Sequence, residues 1–396
     1  MHLSRGLAAA GHDVMHLYFS GNNTPKGATE RPAKDLLLQV RAIELPGEFR
    51  KLSLLERRGY DLAYGRAAAR FVTDFSPHVV VSANTPLDAQ ALLLSAAHQV
   101  NAKFVFWLQD IYHQAIRFVL KSRGLPGASL VARYYKTVER RLLSRSDAIV
   151  CIAPEFLNTL QHWSIDSEKT FLIENWAPLD EILPLPQDNE WSREHRLDGK
   201  FCFVYSGTLG MKHRPALLLE LARHFQTNLD VRTVVVGAGA GFAWLQARPK
   251  PGSLLLLPLQ PYERVSEVLA AAGVLVAILD DDCGAFSVPS KTLAYLCARR
   301  PLLVAAPSGN LASALIRRTS SGIAVPSRDV NGFLAAATGF YHDAALRKSC
   351  SDNGYFHAHR TFDSRRILRQ FAQVFDSLNL PSSVLSETFN ESALRA

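Results

Sequence analysis

Paired cysteines, a leader segment and any long apolar run are all missing from this 396-residue sequence, and each absence narrows what the chain can be. The five cysteines, Cys151, Cys202, Cys283, Cys297 and Cys350, lie far apart without a CxxC pair, so they read as reduced, structural thiols. No apolar run approaches the roughly 20 residues that span a bilayer. No N-terminal stretch combines a charged start, an apolar middle and a small-residue cleavage site. A cytoplasmic protein is the expectation. Internal repeats and low-complexity tracts are also lacking, which sets solenoids and fibrous chains aside.

What is present describes a globular enzyme-sized chain. A hydrophobic share of 48% against 20% charged residues supplies ample material for buried sheets and excludes a largely disordered protein. Single cores stop growing near about 250 residues, so the length suits two domains of nearly equal size. The stretch after Leu380 is the exception: Ser-rich and without a periodic apolar face, it reads as a flexible tail over 381–396. A net charge of +8 and a pI near 9.3 imply attraction to something anionic, whether nucleic acid, an acidic lipid surface or phosphorylated substrates. No nucleic-acid module is recognisable, and nucleic acid is not expected as a partner.

The chain opens with a helix-like His2–Ala8, a Gly11 stop and a strand starting at Val14. A doubly wound domain ordinarily places a strand and a glycine-rich turn before such a helix; neither precedes His2, so a first strand and Gly loop are expected to be missing. Strand-like runs follow at Leu36–Leu45, Val79–Ser82, Phe104–Leu108 and Ala148–Ile152, with helical patterns between several of them. The segment Glu174–Pro178 leads into a Pro-containing linker. A second series then runs through Phe201–Tyr205, Arg232–Val236, Ser253–Leu259, Val274–Leu279, Leu302–Ala305 and Gly322–Val325, and Ser364–Leu378 is a final amphipathic helix. This βα rhythm predicts an α/β fold with mostly parallel sheets.

In such sheets ligands bind beyond the carboxyl ends of strands, so residues just after each strand are the candidates. Tyr205-Ser206-Gly207-Thr208-Leu209-Gly210-Met211-Lys212 offers glycines that admit an anion to backbone N–H groups, with Lys212 as a nearby charge; an ordinary turn with a solvated lysine is the alternative. The glycines of Val236–Gly241, including Gly237, resemble a dinucleotide fingerprint but are spaced GxGxG, and tight helix–sheet packing explains them equally well. Glu263 sits at a distance suited to a ribose ligand, though it follows the Pro258–Pro261 turn. In the run Gly284–Lys291, Ser287 or Ser290 would cap the following helix, whose free N–H groups together with Lys291 suit a phosphate. Asp280-Asp281-Asp282 contains a DxD pattern; it is read as a solvated loop, and neither a metal nor a cofactor is expected.

In the first half, Gln109, Asp110 and His113 follow a strand and could hydrogen-bond a sugar, while Asp110 could equally cap a helix and His113 lie on its surface. Between Arg117 and Arg145 eight basic residues face a single acid, Glu139, with Leu130, Val131, Tyr134 and Tyr135 interleaved. That surface suits an anionic membrane, or simply a solvated helix face.

In this order the pieces resemble the GT-B glycosyltransferases of family 4 (group 1), and among them bacterial surface-polysaccharide enzymes of the fucosamine and colanic-acid type. The most specific parts are the run YSGTLGMKH from Tyr205, VPSK from Val288 with its helix and Arg300-Pro301, WLQD from Trp107, and ENWAPLDEI from Glu174. The resemblance implies two doubly wound, Rossmann-like domains facing a cleft: residues 1–177 on the acceptor side, 178–362 binding the nucleotide sugar, and a helix over 363–380 returning to the first domain. Lys212 would neutralise the leaving diphosphate beside Gly207 and Thr208. Ser287, Val288, Pro289, Ser290 and Lys291 would meet the donor, Tyr262 and Glu263 would lie near the nucleotide, and Gln109 and Asp110 would complete the catalytic set. The implied reaction moves a hexose-type sugar from a nucleotide diphosphate sugar to a polyprenyl-diphosphate-linked saccharide, with retention and without a dedicated side-chain base, at the inner membrane face. Departures are specific: the family's two glutamates correspond to Phe286 and Ala294, and a common histidine to Gln109. A degenerate nucleotide-sugar-binding module and a sugar-nucleotide epimerase are the competing readings.

Overall fold

The computed structural model describes residues 1–21, 37–45, 54–122, 124, 127–280 and 290–380. The chain divides into two compact units, Met1–Asn175 with Ser364–Ala396, and Trp176–Asp363.

The first element of the first unit is a helix, His2–Ala9. Strand β1 (Val14–Phe19) pairs in parallel with β2 (Leu38–Ile43). Strands β3 (Val79–Ala83), β4 (Lys103–Leu108), β5 (Ala148–Cys151) and β6 (Thr170–Leu172) form a second parallel sheet in that order. Burial follows position: Phe104 to Leu108 of the inner strand β4 are all buried, as an unbroken apolar run must be when helices cover both faces of a parallel sheet. The helix Ser364–Asp376 buries Ile367, Leu368, Phe371, Ala372 and Val374 along one stripe, and its Phe371 ring packs edge-on at 4.8 Å from Trp107.

The second unit is a six-stranded parallel sheet. Strands β7 (Phe201–Thr208), β8 (Val231–Ala238), β9 (Leu254–Leu257), β10 (Val274–Ile278), β11 (Leu302–Ala305) and β12 (Gly322–Val325) lie in the order β12-β11-β10-β7-β8-β9. Two apolar clusters cover its faces, one with Trp191, Leu275 and Tyr295, the other with Phe203, Phe225 and Phe340. Strands β7 and β8 run past their expected ends at Tyr205 and Val236 because the ladder continues through Ser206↔Val236, Gly207↔Gly237 and Thr208↔Ala238; backbone pairing needs no side chain to sustain it. Strand β6, unforeseen in the sequence, is a three-residue edge strand too short to show a period. The architecture is the expected α/β one, with a doubly wound second unit.

Candidate functional site

The strand order of the second unit reverses between β7 and β10: the chain builds outward through β8 and β9, then returns to add β10, β11 and β12 on the other side. A crevice beyond the carboxyl ends of strands at such a reversal is where open α/β sheets bind ligands. Two of the three glycine-containing motifs meet there. Gly207 has φ of +116°, a conformation that L side chains rarely adopt, and a Cβ at this position would lie 3.5 Å from Lys291 Nζ. Lys291 belongs to the first turn of the helix Ser290–Cys297, and its ammonium sits 3.8 Å from the centroid of the Tyr205 ring.

Tyrosine hydroxyls fix this corner. The fully buried Tyr295, on the same helix as Lys291, accepts from the Ser206 N–H at 2.9 Å and donates to the Ser206 carbonyl at 3.0 Å, so the helix is pinned to the end of β7. Tyr205 donates to the Thr208 carbonyl at 2.8 Å. Burial pushes both phenols well above their ordinary range, so they act as neutral hydrogen-bonding groups. The Gly210 N–H donates to His213 Nδ1 at 2.9 Å, closing the short turn Met211–His213 that carries Lys212. The Lys212 and Ser290 side chains, and all of Ser287, Val288, Pro289, Asp281 and Asp282, lie outside the described residues.

The glycines at and just past the end of β8 have a packing explanation. A Cβ on Gly237 would stand 2.7 Å from the Gly207 carbonyl oxygen, and the Gly241 N–H donates to the Leu209 carbonyl at 2.8 Å. The β8 turn is thus pressed against the β7 turn, backbone on backbone, and holds it from behind. Beyond β9, Tyr262 and Glu263 are exposed in the short turn Tyr262–Arg264. The Tyr262 hydroxyl donates to Glu181.

In the first unit, Gln109 and Asp110 follow β4. Gln109 exchanges two hydrogen bonds with Asn175, Nε2 donating to Asn175 Oδ1 at 3.1 Å and Oε1 accepting from Nδ2 at 2.8 Å, so its amide is held flat at the end of the strand. Asp110 does not cap the helix Tyr112–Ser122. Glu139 does so from the helix Ala128–Arg145: its Oε1 accepts from the Tyr112 N–H at 2.8 Å and its Oε2 from the His113 N–H at 3.0 Å. The same Oε2 lies 2.7 Å from His113 Nδ1, which places the His113 ring inward rather than on an open surface; its other face meets Trp163 at 5.2 Å. Asp110 makes no hydrogen bond among the described residues, and its carboxyl is pushed up to about 6, first by burial and then by the charge of Glu139.

Comparison with known proteins bears on both units. Residues 1–176 match the family model of the glycosyl transferase 4-like domain. Sucrose-phosphate synthase from Thermosynechococcus elongatus superposes with a TM-score of 0.71 at 15% identity, over 95% of this chain and 91% of that one. WaaG, a glycosyltransferase involved in lipopolysaccharide biosynthesis, gives 0.65 at 14% identity, over 94% of each chain. HepE of Anabaena, in complex with UDP and glucose, gives 0.65 at 12% identity, over 92% of this chain and 99% of that one. No curated protein sequence matches.

The chain as a whole has the GT-B fold of these glycosyltransferases, and its first 176 residues match the glycosyl transferase 4-like domain. Its sequence-predicted residues form two separate groups, one per unit: Gly207, Thr208, Gly237 and Lys291 at the β7–β10 reversal, and Gln109 and Asp110 after β4. Tyr295, Asn175 and Glu139, which brace these two groups, were not singled out in the sequence. Glu139 carried a signal: Ala132, Glu139, Leu142 and Leu143 are the buried residues of its helix, so the one acid of a basic stretch sits at an apolar helical spacing.

Proposed function

We propose that this glycosyltransferase binds a nucleotide diphosphate sugar at the β7–β10 reversal of its second unit and transfers a hexose-type sugar to a polyprenyl-diphosphate-linked saccharide, with retention, in surface polysaccharide biosynthesis. The observation that carries the donor part is the corner itself: an unhindered glycine backbone at Gly207, a lysine ammonium beside it, and a helix start pinned to the strand by Tyr295. A diphosphate needs N–H donors and positive charge held in place, and this arrangement supplies both. By their sequence motifs alone Lys212 and Ser287 to Ser290 are assigned to the same cradle, with Thr208 and Gly237 behind it and Tyr262 and Glu263 toward the nucleotide. UDP in HepE favours a nucleoside diphosphate of this kind.

Gln109 and Asp110 take the acceptor side. Asn175 orients the Gln109 amide, and Asp110 keeps an uncommitted carboxyl, as a group that meets an acceptor hydroxyl requires. The lipid part of the acceptor rests on the helix Ala128–Arg145, which exposes Arg133, Lys136, Arg140, Arg141 and Arg145 beside Leu130 at 73% and Tyr134 at 48% exposure. Basic and apolar groups on one exposed helix suit the cytoplasmic face of an anionic membrane. Among the described residues no helix is long and apolar enough to cross a membrane, and the proposed association is peripheral.

A thermal-shift screen of nucleoside diphosphates and nucleotide sugars tests the donor reading. One nucleotide is expected to raise the melting temperature of the native chain, with the shift lost in Lys291→Ala and Lys212→Ala. Equal shifts in the native chain and both variants would refute it.

A further inference from the structure

Helix N-termini are ordinarily capped by a short polar residue immediately upstream. The residue in that position before the helix Tyr112–Ser122 is Ile111, whose carbonyl accepts from the Gln114 and Ala115 N–H groups but whose side chain cannot cap; Asp110 stands one position further out, and a remote carboxylate takes the amides. Glu139 has no exposed surface, and a buried carboxylate costs free energy unless charge-assisted hydrogen bonds surround it. Here three do: Tyr112 N–H, His113 N–H and the His113 ring at Nδ1. With the Tyr112 and His113 amides taken by Glu139, the Asp110 carboxylate is left without a hydrogen bond among the described residues.

We propose that Glu139 is a positioning residue for the acceptor-side turn: by occupying the start of the helix Tyr112–Ser122 and the His113 ring, it frees Asp110 to engage the acceptor. The inference rests on the reading of Gln109 and Asp110 as the acceptor side. Its second effect is electrostatic. The ionisable groups around the turn are Tyr112 and His113 on their own helix, Glu139 on the helix Ala128–Arg145, and Asp61 and Arg57 on the helix Leu54–Phe75, which act on Tyr112. Burial raises Asp110 most, and of these groups Glu139 is the one whose charge raises it further.

The test compares Glu139→Gln with Asp110→Asn in the full chain, using the nucleotide sugar selected by the thermal-shift screen as donor and following nucleoside diphosphate release with pH. Glu139→Gln keeps an oxygen for the amides and removes the charge. Its kcat is expected to fall about tenfold with donor KM unchanged within about twofold, and the acid limb of log kcat, near pH 6 in the native chain, to move to lower pH. A structural role alone lowers kcat without moving the limb. A Glu139→Gln enzyme with native kcat and an unmoved limb, alongside a crippled Asp110→Asn, overturns this inference and leaves the acceptor reading standing. Native turnover in Asp110→Asn overturns that reading itself. Should Glu139→Gln fail to fold, carboxyl-carbon NMR titration of the native chain, with Asp110→Asn for assignment, decides: a midpoint near 6 is expected, and one at the ordinary 3.8 overturns the inference.

Discussion

The proposed donor-side corner of the second unit and the proposed acceptor-side turn of the first are built from opposite materials. At the end of β7 the walls are glycine backbone, two neutral tyrosine hydroxyls and a lysine ammonium. After β4 they are a reciprocal amide pair, a buried glutamate and an aspartate pushed up to about 6. The difference matches what each side is proposed to meet. A diphosphate brings its own charge and wants N–H donors and a cation; an acceptor hydroxyl wants a hydrogen-bonding oxygen that orients it.

Four experiments break or sharpen that contrast. The largest effect is expected from Gly237→Val, which drives a side chain into the Gly207 carbonyl 2.7 Å away and displaces the β7 turn. It should cost about 3 kcal/mol or more of stability in urea titrations and abolish nucleotide-induced stabilisation, because backbone cannot yield as a side-chain tip can. Asp110→Asn should act in the other direction. A carboxyl whose folded pKa lies near 6, above 3.8, binds more protons folded than unfolded, so its ionisation costs stability as pH rises through that window. The variant should therefore be more stable by about 1–3 kcal/mol at pH 7.5, with the gain fading toward pH 4, while sugar transfer falls. A loss of stability at neutral pH would instead make Asp110 a structural residue.

Tyr295→Phe removes both bonds to Ser206 and is expected to cost about 1–2 kcal/mol, with nucleotide affinity weakened several-fold by calorimetry and acceptor-side kinetics unaffected. The smallest effect on the fold belongs to Arg140→Gln with Arg141→Gln on the exposed helix face: stability within about 0.5 kcal/mol of native, yet weaker cosedimentation with phosphatidylserine vesicles at low salt. Unchanged vesicle binding would detach the membrane from the account.

Legibility in the sequence divided along the same line as the chemistry. Parallel strands announce themselves as apolar runs, and β4, β7, β8, β10 and β11 were readable because both their faces are covered. The residues of the proposed donor side cluster within single motifs, so Gly207 and Lys291 were visible even before the sheet brought them together. The acceptor side depends on partners far along the chain, Glu139 for Tyr112 and His113, and Asn175 for Gln109, and no local pattern states such pairings. Gly237 was open to two readings until the distance to Gly207 explained it by packing. The short strand β6 and the pinning role of Tyr295 were invisible for the same reason: each is defined by what lies across from it.

The most direct test of the central claim is calorimetric titration of the selected nucleoside diphosphate into the native chain, Lys291→Ala and Asp110→Asn. The account predicts binding weakened about tenfold or more in Lys291→Ala and unchanged in Asp110→Asn. Native affinity in Lys291→Ala, or a loss confined to Asp110→Asn, would contradict a donor site at the β7–β10 reversal.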